Sequence, residues 1–183
     1  MGFSTGYVLV QDLTVDDVLQ RLGAVLGYRV EDPCLSDAPA CLGPLEQGWT
    51  VIGDSPGDIR DDPDLLETLS IGTTVVTAFL EEHVMYSQAE LYANGLRRWK
   101  VVSDSETEDD AGLHIAIEGR APDVLVSLIE RALHDERQTI AVDYQFNVPL
   151  KLVNDVTAGA FDGTYPWGDP DESPYREIVF NNA

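Results

Sequence analysis

The chain predicts an α+β fold, a mostly antiparallel sheet of about five or six strands with helices packed on one face. Three observations predict it. Apolar residues recur at helical spacing after Thr14 and again after Pro122, four strand-like runs follow one another between Thr73 and Gly119, and the turns between those runs are short. Strands gathered in the middle of the chain, with helices around them, suit an antiparallel sheet better than alternating parallel units.

The elements follow in order. Tyr7 to Val10 is an apolar run suited to a strand, and Thr14 with Asp17 three residues on marks a helix start. Val15, Val18, Leu19, Leu22, Val25 and Leu26 then share one helical face, and Gly27 is placed to end the helix. Residues 31 to 48 carry Pro33, Pro39, Gly43, Pro44 and Gly48 and read as a loop with at most a short extended piece, after which Trp49 to Ile52 reads as a strand. Asp62 and Pro63 supply a capping side chain and a first-turn proline for a short helix whose Leu65, Leu66 and Leu69 face inward until Gly72.

From there the period changes. Thr73 to Leu80, Val84 to Tyr92, Leu96 to Val102 and Leu113 to Ile117 read as a meander, with Asn94 and Gly95 as a two-residue hairpin because both tolerate positive φ. Leu113, Ile115 and Ile117 alternate with His114, Ala116 and Glu118 as on a half-buried strand. Pro122 opens a helix with Val124, Leu125, Leu128, Ile129, Ala132 and Leu133 along one stripe; Ile140 to Phe146 reads as a further strand, and Pro149 starts a last helix to Val156. Residues 1-157 thus form one α+β domain. Residues 158-183, rich in Gly and Pro among Phe161, Tyr165, Trp167 and Tyr175, read as an irregular tail packed on the domain or on a partner.

Composition narrows the function. An apolar fraction of 44% in 183 residues is enough for a sizeable core, while 33 Asp and Glu against 11 Lys and Arg leave a formal charge of -22. A field of that sign opposes direct binding to nucleic acid or to an anionic membrane, since both depend on cations meeting phosphates. It favours rapid encounter with a basic protein, and it equally serves solubility or life in concentrated salt. No run nears the roughly 20 apolar residues that span a bilayer, and no basic-then-apolar leader opens the chain, so a cytoplasmic protein is expected. Cys34 and Cys41 have no histidine near them and do not make a zinc site.

The familiar chemical motifs are missing. There is no phosphate loop, no Gly-x-Gly-x-x-Gly turn and no Gly-x-Ser-x-Gly elbow, so no catalytic residue, metal ligand or cofactor is assigned. Ser87 and Ser103 read as strand serines. His83 reads as a solvated turn residue, His114 as the polar side of a strand and His134 as the end of a helix, where a cation suits the dipole. The run from Asp104 to Gly112 has the density of carboxylates of a calcium loop, but Asp109 stands where the sharp-turn glycine belongs and Ile115 where the bidentate Glu belongs.

What rises above this background is acid beside aromatic. Asp104, Glu106, Glu108, Asp109 and Asp110 flank a hairpin, and Trp167, Asp169, Asp171, Glu172 and Tyr175 crowd the tail, a combination suited to gripping a basic protein surface. ELYANGLRRWKVVSDSE, followed by LHIAIEG, APDVLVSLIERAL and VDYQFNVPLKLV, resembles the layout of small uncharacterised bacterial α+β proteins, some of them grouped with immunity proteins of toxin systems; the likeness covers residues 49 to 157. What the resemblance implies is a stoichiometric inhibitor that neutralises a basic toxin or effector, with no functional residue carried over. An acidic housekeeping domain, and an enzyme with a dispersed carboxylate and histidine site, stand beside it as alternatives.

Overall fold

Local chemistry sets the first turn of the fold. The Thr14 hydroxyl accepts from Asp17 N at 3.2 Å while the Asp17 carboxylate accepts from Thr14 N at 3.1 Å, a reciprocal cap that starts helix α1 (Val15–Leu22) and is worth about 1 kcal/mol. The helix ends at Gly23, whose φ of 64° takes the left-handed conformation, and not at Gly27. Val25 and Leu26, expected on the helix, therefore lie in a strand. Spacing alone does not separate a short strand from the end of a helix.

A computed structural model describes residues 4–31, 40–54, 56–107, 109, 112–139, 142–161 and 173–181. The strands are β1 (Ser4–Gln11), β2 (Ala24–Arg29), β3 (Ala40–Pro44), β4 (Trp49–Asp54), β5 (Thr74–Glu81), β6 (Tyr86–Ala93), β7 (Leu96–Asp104), β8 (Ile115–Gly119) and β9 (Arg176–Phe180). The other helices are α2 (Pro63–Leu69), α3 (Val124–Glu136) and α4 (Val148–Val156). All nine strands join one sheet in the order β2-β9-β3-β4-β1-β5-β6-β7-β8, and each neighbouring pair is antiparallel.

The α+β class and the antiparallel meander hold, but the sheet has nine strands, not five or six. Two of them, β2 and β9, lie in segments expected to be helix and irregular tail, and β3 is a short extended piece within the segment read as a loop. Conversely, the described part of the expected strand from Ile140 to Phe146 is not extended. Asp143 Oδ1 accepts from Phe146 N at 2.9 Å and Glu136 Oε1 accepts from both Tyr144 N and Gln145 N at 3.0 Å, so side chains fold this stretch into a 3-10 turn at Gln145–Asn147. Asn94 and Gly95 do take positive φ, 53° and 74°, in the β6–β7 hairpin.

Helices also cover both faces instead of one. Alternation divides each central strand between two cores: Tyr7 and Leu9 pack with Trp49, Val51, Val76, Trp99 and Val101 beneath α3 and α4. Val8 and Val10 pack with Leu42, Ile52 and Val75 beneath α1 and α2. Each fully buried aliphatic side chain contributes about 2 kcal/mol, so a sheet with two apolar faces needs cover on both. The outer strands are the exception. On the α1/α2 side, Gln88, Glu90, Arg97, Lys100 and Glu118 form a polar ladder in which Glu90 accepts from Tyr92 at 2.9 Å and Gln88 at 2.6 Å and pairs with Lys100 at 3.2 Å.

Candidate partner-binding surface

Strand register brings three acidic connections to one end of the sheet. Ser4 pairs with Glu81, Glu81 with Tyr86, Tyr86 with Asp104 and Ser103 with Ile115, while the β4 end at Asp54 lies two strands away across β1. The segment after β4, the β5–β6 turn and the β7–β8 connection thus share a rim carrying Asp58, Asp61, Glu81, Glu82, Asp104, Glu106 and Asp109. Their fields meet at Tyr86, whose hydroxyl is pushed up by burial and then by Asp104, Glu90 and Asp61. At the tip of the turn, Val84 is an exposed apolar residue among the acids.

At the opposite end basic and acidic side chains meet, with Arg97 paired to Glu118 at 2.7 Å and to Glu90 at 3.4 Å. Arg97 and Arg98 follow the Asn94–Gly95 turn, and Arg120 joins them where its backbone N–H donates to Arg98 O at 3.1 Å. With Lys100, these are four of the chain's 11 basic residues.

Carboxylates build the rim before they charge it. Asp54, fully buried, accepts from Gly57 N at 3.2 Å, Ile59 N at 2.8 Å and Arg60 N at 2.7 Å, which folds the segment after β4 around one anion. Arg60 is laid over the Phe79 ring at 4.1 Å and forks onto Asp61, with Nε at 2.8 Å and Nη2 at 2.6 Å. Asp104 Oδ1 accepts from Glu106 N at 3.0 Å and Asp109 Oδ1 from Leu113 N at 2.9 Å, so both candidates shape their own loop. Glu106 is exposed. Glu108, Asp110, Trp167, Asp169, Asp171 and Glu172 lie outside the described residues. Tyr175 is a core side chain: it is buried, a Cβ at Gly43 would lie 2.7 Å from its ring, and burial pushes its hydroxyl up to about 12. As a surface anchor for a partner Tyr175 is therefore corrected.

Beside the rim opens a cleft of about 540 Å³ lined by Met85, Ser105, Gly112, His114, Glu136, Thr139, Val142, Asp143 and Gln145. His114, expected on the polar side of its strand, instead sits with its side chain only 10% exposed and its Nε2 3.2 Å from Asp143 Oδ1. Gln145 fastens the cleft: its Oε1 accepts from His114 N at 3.2 Å, and its Nε2 donates to Gly112 O at 2.8 Å and to Glu136 Oε2 at 3.0 Å. A histidine next to a carboxylate suits proton transfer, and of the two hydroxyl residues lining the cleft Thr139 accepts from the Tyr144 hydroxyl at 3.4 Å. Ser105 donates to Val84 O at 3.1 Å and Ser87 to Phe146 O at 2.6 Å. His83 lies in the exposed β5–β6 turn and His134, in the last turn of α3, contacts Gln138 at 2.7 Å. Among the described residues no three His, Cys, Asp or Glu converge as a metal would need, and no helix is long and apolar enough to cross a membrane.

Comparison with protein-family models finds none that matches this chain. Comparison with curated proteins and with solved structures likewise finds no match. A functional reading therefore rests on the surface itself.

Sequence reasoning missed Asp54, Arg60 and the Glu136–Gln145 fastening. Asp54 stands in an Asp-rich stretch, and nothing in the residue pattern singles out the one that will be buried. The signal for Gln145 was weaker still, a polar residue inside an apolar run read as a strand.

Proposed function

We propose that this chain is a protein-binding module that docks a basic partner on the acidic end of its sheet, in the manner of an immunity-type inhibitor that neutralises a toxin or effector. The observation that supports it is the gathering of exposed carboxylates from three separate connections onto one rim, around the apolar tip at Val84 and beside a cleft. A toxin that acts on nucleic acid is basic where it grips its substrate, and an acidic rim competes for that surface. Such an inhibitor acts in the cytoplasm, where its target does. The rim acids would accelerate encounter and the apolar tip would supply the desolvated contact.

The test is affinity co-purification of the tagged protein from its native source at low and at roughly half-molar salt. One stoichiometric basic protein, retained by the native chain and lost with Glu106→Lys and Val84→Asp combined, is the expected result. Retention of nothing at either salt contradicts the reading.

The cleft supports a second reading, an enzyme that uses His114 as a proton acceptor oriented by Asp143. A screen of small polar substrates, with loss of turnover in His114→Gln at unchanged stability, is the result that would prefer it.

A further inference from the structure

The far edge of the sheet offers a second surface of different chemistry. Eleven large apolar side chains are exposed among the described residues, and five of them, Val25, Leu26, Tyr28, Val179 and Phe180, lie on the adjacent strands β2 and β9, each 39% to 54% exposed. Register sets Val25 and Val179 on one face of the sheet and Leu26 and Phe180 on the other, beside the buried Ile178 and Ala24, so among the described residues the exposed apolar side chains gather on both faces of this edge. Strand β2 is also the terminal strand, and its outer edge pairs with no strand among the described residues. The opposite terminal strand, β8, is guarded by charge: Glu118 pairs with Arg97 at 2.7 Å and Arg120 follows. Strand β2 carries no lysine, proline or carboxylate. A register shift between Leu26 and Arg29 bends its far end and leaves Ala24–Leu26 as the regular segment.

Charge selects what covers this edge. The whole chain has a formal charge of -22, so two copies repel over most approaches, whereas β2 and β9 together hold Arg29, Arg176 and Glu177, two cations and one anion. A highly basic partner gains nothing there and is drawn to the rim. A second copy meets its least repulsive approach at this edge, where, among the described residues, unpaired backbone and apolar side chains coincide. We propose that two copies of this chain associate through β2, antiparallel about a two-fold axis, so that the sheet of one continues into the sheet of the other and the exposed side chains of β2, Val25 on one face and Leu26 on the other, pack beside those of the second copy.

Sedimentation equilibrium of the full chain, over a range of concentrations and of salt, tests this. A monomer–dimer equilibrium is expected that tightens as salt rises, because screening removes the repulsion between copies while strand pairing and apolar burial persist. Val25→Lys places two cations across the axis and weakens the dimer about tenfold or more, with its thermal transition unchanged at concentrations where both chains are monomeric. Should that variant fail to fold, Tyr28→Lys at the more exposed position reads out the same contact. A chain that stays monomeric at every salt, or a dimer that either folded lysine variant leaves intact, overturns the proposal.

Discussion

At the acidic rim, the backbone of each connection is held by side chains: Asp54, Glu81, Asp104 and Asp109 each accept backbone N–H groups, and the charges left over project outward. At the β2–β9 edge the order is reversed, with the outer backbone of β2 outside any strand pair among the described residues and apolar side chains projecting. The contrast teaches that one sheet can present two surfaces with opposite electrolyte responses. Attraction between a rim of this sign and a cationic surface is screened by salt, and repulsion between two copies at the edge is screened by the same ions.

The largest effect expected on this contrast is from Asp54. Removing a buried carboxylate that holds three backbone donors costs about 3 kcal/mol, read by urea denaturation of Asp54→Ala, and Val25→Lys measured beside it leaves stability within about 0.5 kcal/mol. Equal effects from the two would mean that the rim is a solvated loop and not a built structure. Next is Gln145→Ala, which leaves the His114 and Gly112 backbone groups unpartnered at the side of the rim. About 2 kcal/mol is expected, with faster amide exchange at His114 and no change at Val25 or Val179.

How far these differences were legible in the residues depends on the range of the forces that make them. Caps were readable, since Thr14 and Asp17, Asp62 and Pro63, and Asn94 and Gly95 each act within a few positions. The end of α1 was not: Gly23 and Gly27 both suit a helix terminus, and only the pairing of Ala24–Leu26 with β9, more than a hundred residues away, decides between them. For the same reason β9 was hidden, because REIVF is too short to announce a strand until β2 and β3 enclose it. The site divides likewise. Asp104, Glu106 and Asp109 were found from local acidity, whereas Asp54 is distinguished by burial, and Tyr175 moved from surface to core because its ring lies over Gly43.

Smaller effects sharpen the picture. Thr14→Ala removes one half of the reciprocal cap beside α1 and costs about 1 kcal/mol by thermal unfolding, with no effect on binding to a cationic probe. Glu106→Lys does the converse: stability stays within about 0.5 kcal/mol, while the association rate of a fluorescent oligolysine peptide falls about threefold at low salt and is unchanged at high salt. A further change is alkaline. Tyr175 ionises near 10 in the unfolded chain and at about 12 in the fold, because burial and, secondarily, Cys41 hold its proton. Its contribution is therefore complete below pH 10 and declines as pH rises from 10 to 12, which a spectrophotometric tyrosine titration beside a stability profile reads directly.

The central claim, that the rim receives a basic protein, is tested most directly by the association kinetics of the co-purified basic partner with the native chain across a salt series. Expected are an association rate that falls steeply with ionic strength, a dissociation rate that barely moves, and a loss of the salt dependence in a chain carrying Glu106→Lys and Glu82→Lys. An association rate indifferent to salt, or one that those reversals leave unaltered, would contradict it.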